Sequence, residues 1–324
     1  MSADNSGMWI HIVSVHPNFT LDAELRELVE RRPEWRFTNA DAPPPDAGYD
    51  VLIAGRPTRE LLRASPNLHT VVLPFSGIPE ETAAVMAEFP GLGLRRMHHN
   101  AGPTAELALG LVLSAARGIV PSDRGMREHD WTSRFVPPRP AMLLDGQKAT
   151  VVGYGEIGQR VARGLVAMGM RVRATRAGAV GEYRDGAVTV HPAADLHPLL
   201  PDSRVTVLNL PATPETTGLI GRRELDLLPA PATLVNVSRA RVVDERALYE
   251  KLHEGELAAG LDVWWEEAVD PAAAHGIAAS RFPFHELPNV VLSPHRGGAF
   301  SLPETPALRA RHLDQLLAEV AGSR

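Results

Sequence analysis

The fold of this chain is decided by the sequence ATVVGYGEIG at residues 149–158. The apolar residues Ala149 to Val152 predict a buried strand, and apolar side chains at helical spacing from Ile157 to Met168 predict a helix directly after it. The glycines between them permit a tight turn, let a pyrophosphate approach the backbone and allow close packing of the helix, whose N-terminus attracts negative charge. A second strand is predicted at Met170 to Ala174. In this setting the pattern predicts a dinucleotide-binding turn rather than a structural glycine-rich turn, formed by Gly153, Tyr154, Gly155, Glu156, Ile157 and Gly158.

Strands and helices alternate on both sides of this turn. The strands predicted before it are 9–15, 51–54, 70–73 and 92–97, and the helices are 21–31, 58–63 and 79–88. Further strands are predicted at 205–210 and 233–237, and this second unit continues to about Val291. Such alternation is typical of parallel sheets covered by helices, so the predicted class is α/β with two doubly wound units. The C-terminal run from Leu302 to Val320 has helical spacing and is too short for a domain, so we expect it to pack on the first unit.

A long helix is predicted between the two units, from Thr104 to about Arg127. Threonine is a common N-cap residue, and the first half of the run is apolar on nearly every side. Apolar residues on all sides indicate that the helix is buried but do not identify what covers it. The helix therefore fits either a core between two domains or an interface between two subunits.

The composition is that of a soluble folded protein. The 324 residues are about twice the usual domain length, so two domains are expected. The 33 Lys and Arg against 39 Asp and Glu give a net charge of −6 without a block of like charge, which argues against a partner that is nucleic acid or membrane. No apolar run is long enough to cross a bilayer, and the N-terminus lacks the pattern of a signal peptide. The absence of cysteine excludes disulfides and thiolate metal sites and favours the cytoplasm; no metal site is expected.

The end of the second predicted strand indicates which dinucleotide would bind. An acidic residue at this point normally hydrogen-bonds the adenosine ribose of NAD(H), but this sequence has Thr175 and Arg176 there. Both can donate to a 2′-phosphate, which favours NADP(H) and leaves NAD(H) open. The alternative is a solvated arginine beside a pocket whose acid is Glu182 or Asp185.

Three further segments place charged residues near predicted strand ends: VNVSR at 235–239, GLDVWWEE at 260–267 and LSPHRGG at 292–298. Singly, each has an ordinary explanation, such as a surface ion pair, a solvated turn or a hydrogen-bonded histidine. In this order after a GxGxxG they resemble the D-isomer-specific 2-hydroxyacid dehydrogenase family. The signatures of that family run GxGxxG, Asn-x-x-Arg, Leu-Asp-Val-Phe-x-x-Glu and Ser/Thr-Pro-His. The match extends to LPATPET at 210–216, similar to the family's adenine-side loop, and to Ala105-Glu106 in the long helix.

The resemblance implies how the two units are connected. A cofactor-binding Rossmann domain at 101–295 would be inserted into a smaller flavodoxin-like, Rossmann-like substrate domain made of 1–100 and 296–324. It also implies a homodimer joined through the long helix at 104–127. Trp131 and Phe135, beyond that helix, would then either reach the cleft of the partner subunit or pack within their own chain.

The resemblance implies a catalytic set of Arg239, Glu267 and His295. Arg239 would bind the carboxylate and carbonyl oxygen of a 2-oxo acid, and His295 would protonate that oxygen. Glu267 would pair with His295 and raise its pKa; formate-oxidising relatives carry Gln at this position. Asp262 would contact the nicotinamide carboxamide or serve as a structural acid. The other cofactor contacts implied by the match are Leu210, Pro211, Thr213, Thr216, Val237, Ser238 and Gly297.

The substrate contacts are expected after the strand at 70–73, where the family places backbone N–H groups. Ser76 and Gly77 occupy this place, and Asn100 and Arg56 are further candidates, although polar loop residues often form turns. The family's Gly-x-Asp-x-Ile/Val-Asp pattern is absent after Ser76. Two other departures are Ala240, where a glycine is common, and Trp264-Trp265 in place of a Phe-led pair, both adding bulk near the cofactor or cleft.

The resulting expectation is a reductase that prefers NADP(H) and converts a 2-oxo acid to a D-2-hydroxy acid. One alternative is a dehydrogenase of the same fold that acts on a specialised biosynthetic anion. The other is a dinucleotide-sensing corepressor or scaffold, because the family includes such proteins and they can keep the catalytic set.

Overall fold

The computed structural model describes residues 7–13, 23–138, 140–268, 275–299 and 302–323. It consists of two compact units, one made of residues 1–100 and 299–324 and the other of residues 101–298. Each unit is a mainly parallel sheet covered by helices, which confirms the predicted α/β class. The predicted strand at 9–15 and helix at 21–31 are seen as 9–12 and 23–31; their remaining positions from 14 to 22 lie outside the described residues.

The first unit contains a five-stranded sheet of order β2-β1-β3-β4-β5. Its strands are β1 Trp9–Ile12, β2 Arg36–Asn39, β3 Val51–Ile53, β4 Thr70–Leu73 and β5 Gly93–Arg96, all paired in parallel. Its helices are α1 Ala23–Arg31, α2 Arg59–Ala64, α3 Glu80–Ala87 and the C-terminal α10 Thr305–Gly322. Strands β1, β3 and β4 are buried throughout, as expected where helices cover both faces. Leu313 and Leu317 of α10 share a core with Ile10 and Val72 of this sheet.

The second unit contains an eight-stranded sheet of order β13-β12-β11-β10-β6-β7-β9-β8. Its strands are β6 Lys148–Val152, β7 Arg171–Arg176, β8 Tyr183–Asp185, β9 Val188–Pro192, β10 Val205–Leu208, β11 Ala232–Asn236, β12 Leu257–Leu261 and β13 Val290–Leu292. Only the β8–β9 pair among these is antiparallel. Its helices are α4 Ala101–Arg117, α5 Ile119–Arg127, α6 Glu156–Ala167, α7 Leu196–Leu199, α8 Arg222–Leu227 and α9 Glu245–His253. The glycine turn lies between β6 and α6, as its sequence predicts.

The single helix expected at 104–127 is two helices. Helix α4 ends at Arg117, Gly118 adopts a φ of +60°, and α5 continues at an angle of 67°. Pro121 also opposes a continuous helix, because its ring would collide with the carbonyl of residue 117. Thr104 is not the N-cap, since α4 begins earlier, and its buried hydroxyl donates to the Gly297 carbonyl at 2.8 Å. No single helix in the described part of the chain is long and apolar enough to cross a membrane, although the bent α4–α5 pair satisfies that test together.

Candidate active site

Three loops leave the second sheet side by side at its carboxyl edge. The last residues of β11, β12 and β13 are register partners, so the chain segments that follow them begin at one place. These segments carry Arg239, Glu267 and His295. The positive charge of Arg239 lies close enough to influence the pKa of both Glu267 and His295. The structure thus brings together the three residues singled out as a catalytic set.

His295 and Glu267 form a hydrogen-bonded pair. Nδ1 of His295 lies 2.8 Å from Oε2 of Glu267, and Oε1 of the same carboxylate accepts the backbone N–H of Trp264 at 3.1 Å. The bond to Glu267 raises the pKa of His295, although burial opposes this shift. Burial raises the pKa of Glu267, but the hydrogen bonds from His295 and the Trp264 N–H bring it below its ordinary value. Because Nδ1 is engaged, Nε2 is the nitrogen left to exchange a proton with a ligand.

Asp262 holds the loop that carries His295. One carboxylate oxygen accepts the Ser293 hydroxyl at 2.5 Å and the Arg296 N–H at 2.9 Å, and the other accepts the Gly297 N–H at 2.8 Å. These bonds close the loop around His295, whose φ of +50° lies in the left-handed region. Asp262 is only 1% exposed, so the structure favours its structural role over the nicotinamide contact. Gly297 is enclosed in the same loop.

A tight turn presents Arg239 to solvent. Asn236 ends β11, and its side-chain oxygen accepts both the N–H of Ser238 at 3.0 Å and the hydroxyl of Ser238 at 2.7 Å. The side-chain nitrogen of Asn236 donates to the Arg239 carbonyl at 3.0 Å. Arg239 itself is exposed, and one guanidinium nitrogen donates to the Ser238 carbonyl at 2.6 Å. Asn236 therefore shapes the site, and the Asn-x-x-Arg signature is the sequence signal that marks it.

The glycine turn has the shape that a pyrophosphate requires. Gly153 has a φ of +97°, and a Cβ there would lie 2.5 Å from the Asn209 carbonyl oxygen. A Cβ on Gly158 would lie 2.0 Å from the Gly153 carbonyl, so α6 packs against the turn more closely than a side chain allows. A Cβ on Gly155, in contrast, would meet no atom within 4 Å. This open space lies over the N-terminus of α6, where Glu156 and Ile157 begin the helix, and it fits the phosphates of a dinucleotide.

Two residues assigned to the cofactor are enclosed within the protein. The Tyr154 side chain is buried, its hydroxyl donates to Asp185 at 2.9 Å, and its N–H donates to the Thr175 carbonyl at 2.9 Å. Thr175 is 2% exposed, and with Ala174 it forms the buried end of β7 before the exposed Arg176. Burial of the Thr175 side chain therefore disfavours the expected contact between its hydroxyl and a 2′-phosphate. Position at a strand end does not indicate whether a side chain is exposed.

Arg176, in contrast, is exposed at the end of β7 and lines an open pocket with the loop 177–183. The two acids that could have replaced it as a ribose ligand have other partners. Asp185 accepts the Tyr154 hydroxyl, and Glu182 lies 3.4 Å from Nδ1 of His191. Arg176, whose guanidinium donates to the Tyr183 hydroxyl at 3.5 Å, therefore lines this pocket together with the Glu182 carboxylate.

The remaining residues assigned to the cofactor form the loops around this edge. Thr216 holds the loop after β10: its hydroxyl donates to the Pro211 carbonyl at 2.6 Å and accepts the Thr213 N–H at 2.8 Å. Leu210 is half-buried next to it, and Val237 and Ser238 are buried in the turn before Arg239. Their side chains mainly maintain loop shape.

The candidate substrate residues of the first unit lie at the carboxyl ends of β4 and β5. The Ser76 hydroxyl donates to the side-chain oxygen of Asn100 at 2.8 Å, and Arg96 donates to the Ser76 carbonyl at 3.0 Å. Gly77 is half-buried beside them, whereas Arg56 is exposed after β3. The structure brings Ser76 and Asn100 together within this unit. Among the described residues, no group of three or more His, Asp or Glu side chains is arranged to hold a metal ion.

The fold and the site define a class of α/β protein in which a dinucleotide-binding unit carries Arg, Glu and His at the carboxyl edge of its sheet. Comparison with known families gives the next step. The family model for the D-isomer specific 2-hydroxyacid dehydrogenase, NAD binding domain, matches residues 109–297. The chain belongs to the D-isomer specific 2-hydroxyacid dehydrogenase family, which confirms the resemblance found in the sequence.

Individual relatives agree with this assignment. A glyoxylate reductase of Aeropyrum pernix is 33% identical over 274 residues, covering 78% of this chain and 74% of that protein. A glyoxylate reductase of Korarchaeum cryptofilum is 37% identical over 202 residues, covering 60% of this chain and 56% of that protein. Several such relatives are thus matched over little more than half their length. A D-isomer specific 2-hydroxyacid dehydrogenase from Xanthobacter autotrophicus, solved with NADPH and MES, has the same fold, with a TM-score of 0.72, 23% identity and coverage of 98% and 96% of the two chains.

Proposed function

We propose that this protein reduces a 2-oxo acid to a D-2-hydroxy acid with NADP(H) as the hydride donor. The observation that carries the proposal is the hydrogen-bonded pair of His295 and Glu267 beside the exposed Arg239. A 2-oxo acid needs a cation for its carboxylate and a proton for its carbonyl oxygen, and this site offers both. The glyoxylate reductase relatives support the same class of reaction.

Different side chains would bind the substrate and transfer the proton. The planar guanidinium of Arg239 would bind the substrate carboxylate and orient the neighbouring carbonyl. The glycine turn would hold the pyrophosphate of the dinucleotide, whose reduced nicotinamide would supply the hydride for the new C–H bond at C2. His295 would deliver the proton from Nε2 to the carbonyl oxygen, so that the C=O bond becomes a CH–OH group. The Glu267 carboxylate stabilises the positive imidazolium before this transfer, which explains its value in the reducing direction.

The reaction is tested by initial rates of NADPH and NADH oxidation with glyoxylate, hydroxypyruvate, pyruvate, a branched 2-oxo acid and phenylpyruvate. Turnover of at least one of these, faster with NADPH, is the expected result. Dinucleotide binding without turnover would overturn the proposal and favour a specialised anionic substrate. If no specialised anion reacts either, the remaining alternative is a dinucleotide-sensing corepressor or scaffold.

The preference for NADP(H) is expected to depend on Arg176. Replacing Arg176 with aspartate should lower the ratio of kcat/KM for NADPH to that for NADH by roughly 10- to 100-fold, because a charge-assisted bond to the 2′-phosphate becomes a repulsion. The matched control is Arg171→Asp, which makes the same charge change at the other end of β7. An unchanged ratio in the Arg176 variant would show that the preference does not arise there.

We also infer that two copies of the chain associate through the surface around α5. No residue of α5 is buried, and the apolar side chains of Ile119, Met126, Trp131 and Phe135 are 41 to 77% exposed. Large apolar side chains exposed on neighbouring segments are typical of an interface. The expected mass by light scattering is twice the chain mass of 35.1 kDa. A mass of one chain across the micromolar range would contradict this inference.

A further inference from the structure

Outside the catalytic set, the buried carboxylate of Glu245 accepts four hydrogen bonds from the dipeptide Ser280-Arg281. The Glu245 side chain, at the start of α9, is 4% exposed. Its Oε1 accepts the Ser280 hydroxyl at 2.8 Å and the Arg281 N–H at 3.0 Å, and its Oε2 accepts Nε and Nη2 of Arg281 at 2.9 and 2.6 Å. Burial raises the pKa of Glu245, but these donors bring it below its ordinary value. A buried carboxylate that accepts four hydrogen bonds holds in place the chain segment that carries the four donors.

The donors belong to the segment 275–286, which we name the anchored segment. Its Ala279 carbonyl accepts the N–H of Glu266 at 3.1 Å, next to the catalytic carboxylate. Its Phe284 is 2% exposed and stacks on Trp265, with ring centroids 5.6 Å apart and planes at 16°. The ring of Trp264 meets the same Phe284 at 74° and 6.2 Å. The two tryptophans, expected to add bulk near the cofactor or cleft, therefore pack against the anchored segment.

Trp264 connects this packing to both members of the catalytic pair. Its backbone N–H donates to Oε1 of Glu267 at 3.1 Å, and its indole N–H donates to the Ser293 carbonyl at 2.8 Å. Ser293 lies two residues before His295 in the loop closed by Asp262. A direct series of contacts thus runs from Glu245 through the anchored segment and Trp264 to Glu267 and His295. The pair itself is partly exposed, with 34% of the Glu267 and 41% of the His295 side chain accessible, so its geometry depends on such support.

We propose that Glu245 is a positioning residue for the catalytic pair, acting through the anchored segment and Trp264 to hold the Glu267 carboxylate against Nδ1 of His295. The expected effect of Glu245 on turnover rests on the proposed function. Its expected effect on the geometry of the catalytic pair does not, because the pairing of Glu267 with His295 is measurable without turnover.

The test compares Glu245→Gln with the unaltered protein and with Glu250→Gln, a matched change of an exposed carboxylate on the same helix. The amide keeps the size of Glu245 but turns an N–H₂ group toward the Arg281 donors, so the anchored segment is expected to loosen. The first readout is the titration of the His295 imidazole by NMR in the presence of NADPH, assigned by the loss of its signal in His295→Asn. The groups facing this imidazole are Glu267, Asp262 and Arg239. The second readout is kcat and KM with glyoxylate.

We expect the pKa of His295 to fall toward its ordinary value in Glu245→Gln and to stay unchanged in Glu250→Gln. The kcat should fall roughly tenfold while the KM for NADPH is retained, because a loosened pair misplaces a proton without affecting the glycine turn. Arg281→Met should give a smaller change in the same direction, since its side chain is 77% exposed and Ser280 still donates to Glu245. This variant also serves if Glu245→Gln fails to fold.

A lower melting temperature with an unchanged His295 titration would overturn the proposal and leave Glu245 a structural residue. The failure of the proposed function looks different. In that case glyoxylate and the other 2-oxo acids would not react with the unaltered protein, yet the His295 titration would still distinguish the two variants.

Discussion

Replacing His295 with asparagine is expected to lower kcat for 2-oxo acid reduction by about a thousandfold, because the carbonyl oxygen loses its proton donor. Asparagine is the substitution of choice, since His295 has a φ of +50° and asparagine tolerates this conformation better than alanine does. Affinity for NADPH, measured by quenching of tryptophan fluorescence, should change little because the glycine turn is untouched. His285→Asn is the matched control, since the side chain of His285 is 73% exposed. Turnover retained in His295→Asn would refute the acid role.

The pH dependence of the same reaction follows from the bond between Glu267 and His295. That bond raises the pKa of His295 above its ordinary value, so the imidazole stays protonated further toward neutral pH. Reduction consumes this proton, and its rate should therefore fall as pH rises through the raised pKa. Oxidation of the hydroxy acid needs the neutral imidazole and should rise through the same pKa. Residual activity in His295→Asn should lack this transition, and a profile identical to that of the unaltered protein would place the titrating group elsewhere.

The sequence predicted the fold through features that repeat over many residues. The glycine turn between β6 and α6 and the alternation of strands and helices depend on local spacing, and both sheets follow from them. The break at Gly118 was missed because apolar spacing continues through it, while a single residue with positive φ redirects the chain. Strands β2 and β8 were missed because each is a short strand at the edge of its sheet with no buried residue, and β9, which pairs with β8, is only partly buried. Edge strands carry little hydrophobic pattern.

The candidate site was predicted unevenly for a related reason. Arg239, Glu267 and His295 were found because the order of their motifs resembles a family, and the structure places these three together. The hydrogen bonds of Asp262 and Glu245 join positions 31 to 36 residues apart in the sequence. Nothing local marks a carboxylate as buried or names its partner. Sequence reasoning therefore identifies the groups that do chemistry more readily than the groups that hold them in place.

Replacing Arg239 with lysine is expected to lower kcat/KM for a 2-oxo acid by roughly a hundredfold or more. Lysine keeps the positive charge but replaces a planar pair of donors by a single ammonium, so it cannot hold the carboxylate and orient the carbonyl together. Removal of one fixed donor to a reacting oxygen typically has an effect of this size. The loss should be measured from initial rates with NADPH saturating, and Arg241→Lys, an exposed neighbour, is the matched control.

The division of this loss between kcat and KM identifies what Arg239 does. If Arg239 only attracts the anion, the lysine variant should show a raised substrate KM with kcat nearly retained. If it also orients the carbonyl toward Nε2 of His295, kcat should fall as well, and we expect this second pattern. The turn made by Asn236 leaves the Arg239 guanidinium close enough to act on both Glu267 and His295. A cation at this position lies next to the pair that transfers the proton. Retention of kcat/KM in the lysine variant would therefore show that Arg239 does not orient the reacting carbonyl.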